Sequence, residues 1–418
     1  RSPKDPMVMS LVGNVFAASG DRAEARKYFN QALMIEPENL PATMLLAGLE
    51  EIEGNLEMAA ALYKNLAEGV SKSIEPFLAL ARLAEQSKDY EKMVFWLEEA
   101  SKKEPKDIRP KKVLAEYYLR NNQLDKVETY VKEALDISPK DPVLLLLKAR
   151  LLLAQERFNE ALSSLNELII RSPKSVYPRT LLAETYLKLG QIDDARKQLS
   201  LVIDQQPYYV PALLVLAKVE LQAGDYKLAS QYLGQVKAIE PDYFLVYELM
   251  GDIAMLQKDH TVAVESYAKA FSLRPYAELA VKQASLLMQL KKEQDAIVFM
   301  EDWLNKHPDD LRVSLLLGGV YLESNEHAKA RTKFESIYKV NPDNAIVLNN
   351  LAWIYSIDGD TRALDFAERA YKTSPENSGI QDTYGWILVQ KGEVDKGRRI
   401  LERAMEELSH LADVRYHY

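Results

Sequence analysis

An all-α solenoid of about twelve helix-turn-helix repeats is the fold this sequence predicts, and three observations predict it. Prolines stand at positions 3, 37, 105, 139, 173, 207, 241, 275, 308, 342 and 375, so that every interval is 33, 34 or twice 34 residues, with Ser71 in the one vacant place. A period held over a whole chain marks stacked supersecondary units. Small residues return in the same rhythm at Gly13, Ala47, Ala81, Ala115, Ala149, Ala183, Ala217, Gly251, Ser285, Gly318, Ala352 and Gly385. Within each interval apolar residues recur at helical spacing over two stretches, with no alternating strand pattern between them.

Numbering each repeat so that its proline is residue 32 gives frames 6–39, 40–73, 74–107, 108–141, 142–175, 176–209, 210–243, 244–277, 278–310, 311–344, 345–377 and 378–411. Residues 1–5 then read as the tail of a preceding repeat and 412–418 as the start of a further one. Repeats nine and eleven have 33 residues, and the missing one is expected in the turn between their helices. The first helix carries its small residue at position 8, and the second carries Ala or Gly at position 20 except at Met93 and Val127. Small residues let two helix axes approach, while larger ones such as Leu182, Tyr186 and Leu199 fill the space around the contact. The turns Ser19-Gly20-Asp21, Glu53-Gly54-Asn55, Leu189-Gly190-Gln191, Ala223-Gly224-Asp225, Asp358-Gly359-Asp360 and Lys391-Gly392-Glu393 separate the helices. Glycine there ends a helix in the left-handed conformation, and a following Asp or Asn starts the next. Proline at 32 stops the second helix because it lacks an amide hydrogen.

Composition sets bounds on function. With 47% hydrophobic residues the chain is too apolar to be disordered, and a net charge of −9 argues against nucleic acid as a general partner, which would need a basic face. The basic stretch Lys102, Lys103, Lys106, Arg109, Lys111 and Lys112 reads as a solvated inter-repeat loop. Cysteine is absent, which excludes disulfides, thiolate zinc sites and cysteine nucleophiles. The most apolar run, Val143 to Ala154, is interrupted by Lys148 and Arg150, is too short to span a bilayer, and reads as the buried first helix of repeat five. The five histidines lack ligand spacing, and no glycine-rich phosphate loop occurs. Ser336 and Lys339 match the letters of a serine acyl-enzyme motif without its companions. No catalytic residue, metal or cofactor is expected.

The combination of small residues at 8 and 20, alanines such as Ala32, Ala134 and Ala404 at 27, and proline at 32 resembles the tetratricopeptide repeat over essentially the whole chain. That resemblance implies a right-handed superhelix whose first-helix positions 2, 5, 9 and 12 face a concave groove. In repeats three to eight, position 9 reads Arg82, Glu116, Arg150, Glu184, Lys218 and Asp252, a strict alternation of sign. Opposite charges one repeat apart attract and a uniform row would repel, so these residues are expected to form an ion-pair ladder that sets register. A groove that grips a charged polymer or peptide is the alternative. Position 9 then becomes Leu286, Gly319, Trp353 and Trp386, with Asn349, Asn350 and Asp382 beside the tryptophans. These five polar and aromatic residues are the candidate binding surface, for an extended peptide or for stacked sugar rings. Packing of both tryptophans as core is the competing reading.

The stretch Leu348-Asn349-Asn350-Leu351-Ala352-Trp353, then Gly359-Asp360, Ala363 to Ala370, Asp382-Thr383-Tyr384-Gly385-Trp386-Ile387-Leu388 and Gly392, is similar to bacterial secreted tetratricopeptide proteins of exopolysaccharide systems. It looks most like the repeat lipoprotein associated with exosortase (PEP-CTERM) gene sets. The resemblance implies a non-catalytic scaffold for polysaccharide synthesis or export, with proteins, peptide segments or polysaccharide as partners. Its implied place is the periplasm, attached to the outer membrane through an N-terminal lipid outside this sequence, with the cytoplasm as alternative. The residues speak against two other roles. An adaptor clamping a peptide carboxylate would use Asn14, but Met44, Leu45 and Gly48 stand where its partners are needed. A glycosyltransferase's regulatory array would show an asparagine ladder along position 6, where this chain has Asn350 alone.

Overall fold

A computed structural model of the chain describes residues 5–69 and 73–408. Residues 1–4, Ser71 and 412–418, expected to belong to flanking repeats or to an inter-repeat loop, lie outside the described residues. Among the described residues there are 24 helices and no strand. The first six repeats pair α1 (Pro6–Ser19) with α2 (Arg22–Ile35), α3 (Leu40–Ile52) with α4 (Leu56–Glu68), α5 (Glu75–Gln86) with α6 (Tyr90–Lys103), α7 (Arg109–Arg120) with α8 (Leu124–Ile137), α9 (Pro142–Ala154) with α10 (Phe158–Arg171), and α11 (Val176–Lys188) with α12 (Ile192–Gln205). The remainder pair α13 (Val210–Ala223) with α14 (Tyr226–Ile239), α15 (Phe244–Leu256) with α16 (His260–Leu273), α17 (Ala277–Gln289) with α18 (Glu293–Lys306), α19 (Leu311–Glu323) with α20 (His327–Val340), α21 (Ala345–Ile357) with α22 (Ala363–Thr373), and α23 (Ser378–Gln390) with α24 (Val394–Leu408). The chain divides into two lobes, Arg1–Val215 and Leu216–Tyr418, with the division inside α13.

Each first helix ends through the same backbone device. In all twelve repeats the turn between the helices holds a residue of positive φ, at position 15 in eleven frames and 14 in the ninth: glycine at Gly20, Gly54, Gly190, Gly224, Gly359 and Gly392, but Lys88, Asn122, Glu156, Lys258, Lys291 and Asn325 elsewhere. The following amide reaches back across the turn, as Asp21 does to the Phe16 carbonyl (2.9 Å) and Gln123 to that of Tyr118 (2.9 Å), which satisfies helix-end carbonyls. Six repeats therefore carry a side chain in a conformation that costs it about 1–2 kcal/mol relative to glycine's freedom.

Close helix contact explains the small residues. A Cβ added at Gly13 would lie 2.6 Å from the Phe29 ring, at Gly251 2.5 Å from Tyr267, at Gly318 2.8 Å from Phe334 and at Gly385 2.7 Å from Leu401. Alanine takes the same place in other repeats, and Ala115, Ala149 and Ala183 are fully buried. Repeat nine departs from its expected frame. Its first helix begins at Ala277, one residue after Tyr276, so the missing residue lies in the loop after Pro275 and not in the turn between the helices. Ala284, fully buried, is the small contact residue there; Ser285 is exposed, and Leu286 is 2% exposed in the core, not on the groove. In repeat eleven the shortened segment is the turn between α21 and α22, as expected.

Adjacent repeats are also joined by recurring polar bonds. At position 4, Lys111 donates to the Pro105 carbonyl (2.8 Å), Tyr247 to that of Pro241 (2.7 Å) and Gln381 to that of Pro375 (2.7 Å). Tyr355 donates to Glu335 of the preceding repeat at 3.0 Å, and Tyr321 likewise to Glu301. A cation lies over each ring, Arg362 at 4.1 Å and Lys329 at 5.0 Å. The apolar run beginning at Val143 is helix α9, with Leu144, Leu145, Leu147, Leu151 and Leu152 buried. No helix among the described residues is long and apolar enough to cross a membrane.

Candidate functional site

First helices of successive repeats touch, α1 with α3 and α7 with α9 in the first lobe, α17 with α19 and α21 with α23 in the second. They form a wall in each lobe, and the expected groove positions lie along it. Val143 and Ile346, both at position 2, are 50% and 54% exposed, and Val113 at position 6 is 41% exposed. Of these, Val113 and Val143 line one cavity together.

The charges at position 9 pair only in part as a ladder. Arg150 bonds Glu116 of the preceding repeat at 2.7 Å, the expected step. Arg82 turns instead to Glu51 at 2.7 Å, a carboxylate already held by the Tyr63 hydroxyl at 2.6 Å. Asp252 takes the Tyr267 hydroxyl at 2.7 Å and Lys282 at 2.9 Å. Lys282 also bonds Glu248 at 2.8 Å, and Tyr276 closes that network by donating to Glu248 at 2.5 Å. Burial opposes the charge of Lys282, but its two carboxylates outweigh burial and hold its pKa above the ordinary lysine value. Glu184 and Lys218 are half-buried at the same repeat position. The departure has a physical cause: repeat two has Gly48 at position 9, so Arg82 pairs with Glu51 of that repeat, and Lys282 from the following repeat reaches Asp252 and Glu248 together.

In the first lobe the wall opens into a cavity of about 550 Å³, lined from three successive repeats. Tyr90, Met93, Val113, Tyr117, Val143 and Leu147 give it an apolar lining, with the Tyr90 and Tyr117 rings stacked 5.7 Å apart. Glu85, Lys112, Glu116, Arg120 and Asn121 give it a polar edge. Lys112 is held by Asp141 at 2.6 Å, and Asp141 in turn caps α9 through the Val143 and Leu144 amides. Glu116 accepts from Arg150 and, at 3.2 Å, from Arg120. Burial raises the Glu116 carboxyl, but the two guanidinium groups prevail and hold it below the usual carboxylate range. Sequence reading picked out Glu116 and missed the rest. The exposed β-branched pair Val113 and Val143 was the signal available, since solvated wall positions ordinarily carry polar residues.

In the second lobe Trp353 and Trp386 are half-buried on the touching helices α21 and α23. Asn349, Asn350 and Asp382 are half-buried on the same two helices. The Asn349 Oδ1 atom is buried and has no hydrogen-bond partner among the described residues. Neighbouring Leu348, Leu351, Ala352, Ile354 and Tyr355 are the buried core of α21, so the tryptophans stand at the edge of that core. The basic stretch is tied down locally: Lys102 bonds Glu99 at 2.7 Å, and Arg109 bonds Asp107 at 2.7 Å and Glu75 at 2.8 Å.

Parts of the chain match known protein families. The tetratricopeptide repeat profile matches residues 13–73 and 315–378. Residues 128–315 match the C-terminal ARM domain of tetratricopeptide repeat protein 21, and 86–168 match subunit 3 of the anaphase-promoting complex, or cyclosome. No curated protein matches the chain. Among solved structures, the yeast Tom70 structure is 15% identical, with 99% of this chain and 95% of that one covered and a TM-score of 0.46. PilW, described as a widely conserved type IV pilus biogenesis factor, is 22% identical over 51% of this chain and 98% of its own, with a TM-score of 0.46. The APC/C hetero-tetramer Cut9-Hcn1 is 13% identical, covering 99% and 89%, with a TM-score of 0.44. Twelve helix pairs of one design make up the described residues, and the tetratricopeptide repeat profile matches part of the chain in each lobe.

Proposed function

We propose that the chain is a non-catalytic scaffold that holds segments of partner proteins against its first-helix walls, in the machinery that makes or exports a bacterial exopolysaccharide. The observation that carries the scaffold reading is the first-lobe wall, where Val113 and Val143 stand exposed around a cavity of about 550 Å³. Concave sites with an apolar lining and a few placed polar groups are where ligands bind. The exopolysaccharide role and a periplasmic, lipid-anchored location rest on the likeness of residues 348–392 to secreted repeat proteins of such systems. Trp353 and Trp386, with Asn349, Asn350 and Asp382 alongside, suit either a peptide or the apolar face of a sugar ring.

Deletion of the gene in the source organism, with complementation, tests this reading. Polymer output is expected to fall on deletion and to return with the wild-type gene but not with Trp353→Ala combined with Trp386→Ala. Unchanged polymer output after deletion would remove the exopolysaccharide role, and full rescue by the double variant would remove the second-lobe wall from it.

A further inference from the structure

The polar edge of the first-lobe cavity is not electrically even. Glu116 carries two guanidinium groups, from Arg120 and Arg150, so one positive charge there is left over. Lys112 contributes none, because Asp141 neutralises it at 2.6 Å. The side chain of Arg120 is 68% exposed and meets Glu116 through Nε, which leaves both terminal amino groups open to solvent among the described residues. A planar guanidinium with two free terminal nitrogens is shaped for a carboxylate, and does more for one beside apolar surface than in open water. Arg120 lines the same cavity as Val113, Tyr117 and Val143. On the far side α5 supplies Glu85, an exposed carboxylate. Glu85 would repel a second acid and accept a backbone N–H, so the cavity offers a cation at Arg120 on α7 and an acid at Glu85 on α5.

Resting on the scaffold reading above, we infer that this cavity docks an internal acidic segment of a partner protein. A large apolar side chain fills the space between Tyr90, Val113 and Val143, and a neighbouring Asp or Glu meets Arg120. The buried apolar side chain gives the segment its hold, and the carboxylate selects it over basic competitors. The lobe then recognises composition at this place on its wall.

Fluorescence polarisation with defined peptides tests this. The probe is a fluorescein-labelled, C-terminally amidated peptide of Gly and Ser with a central Phe-Leu pair followed by Asp-Asp. It is expected to bind, and the same peptide with Lys-Lys in place of Asp-Asp is expected not to. Arg120→Gln should weaken binding about tenfold or more, as loss of a charge-assisted hydrogen bond does, and Arg120→Lys should weaken it less. Val143→Asp should abolish it, whereas Arg157→Gln, which changes a guanidinium outside the cavity, should leave it unchanged. Equal binding of the lysine peptide, or an Arg120→Gln variant as tight as wild type, would overturn the assignment. Binding confined to peptides with a free C-terminal carboxylate would also overturn it, since the segment proposed is internal. If both peptides fail while the second-lobe tryptophan variant still loses polymer output, this inference falls and the scaffold reading stands.

Discussion

Two neighbouring glycines on α19 should respond to the same substitution with opposite sign. Gly318 and Gly319 differ in which way they face: a Cβ at Gly318 would sit 2.8 Å from the Phe334 ring, whereas one at Gly319 would meet, among the described residues, nothing within 4 Å beyond its chain neighbours and its own helix's backbone. Replacing glycine by alanine inside a helix is worth about 0.5–1 kcal/mol through backbone entropy. At Gly319 that gain is unopposed, so Gly319→Ala should stabilise by about that amount. At Gly318 the methyl drives into Phe334, which is fully buried and cannot swing aside, and overpacking of this kind costs about 1–3 kcal/mol. Subtracting the helix gain leaves Gly318→Ala a net loss of about 1 kcal/mol, in the middle of those ranges. Repeat arrays need not unfold in one step, so native-state hydrogen exchange of the α19 and α20 amides is the suitable assay. Gly319→Ala should raise protection severalfold and Gly318→Ala lower it. If Gly318→Ala stabilised as much as Gly319→Ala, the close helix contact at position 8 would not exist.

Three further outcomes follow from the same geometry. Glu156→Gly should stabilise repeat five by about 0.5–1 kcal/mol in denaturant titrations, because φ of 58° strains a side chain and not glycine, less what glycine loses from the unfolded chain. Tyr355→Phe should cost about 0.5–1.5 kcal/mol through the lost bond to Glu335, measured by thermal unfolding at neutral pH. Burial, then the hydrogen bond to Glu335, pushes the Tyr355 hydroxyl up to about 12. A group whose pKa is raised on folding stabilises below its unfolded value, near 10 for tyrosine, so stability should hold to about pH 10 and decline toward pH 12, less steeply in Tyr355→Phe.

The period of the prolines and the run of small residues made the twelve helix pairs legible, since each letter answers a backbone or packing need that few residue types meet. Legibility failed where several residues meet the need. In repeat nine Ala284 and Ser285 are both small, so the letters did not reveal that the deletion follows Pro275. Glycine at Gly20 or Gly359 announces a left-handed turn, but Lys88, Glu156 and Lys291 adopt it because the flanking helices impose it, and nothing in their chemistry says so. The charge alternation at position 9 was read along one row of the wall. Glu51, Lys282 and Tyr267 come from other rows and take Arg82 and Asp252 away, and the cavity is likewise invisible along one row because Glu85, Val113 and Val143 belong to three repeats.

The absence of cysteine from the chain makes the central claim, docking on first helices, open to one direct measurement. Val143→Cys places a single thiol on the first-lobe wall and Ile170→Cys places one on the second helix of the same repeat, where the native residue is 80% exposed. The rate of maleimide modification of each thiol is measured with and without the saturating acidic Phe-Leu peptide. Slowing of at least about tenfold at position 143 with no change at position 170 is the predicted result, and equal slowing at both, or slowing at position 170 alone, would contradict it.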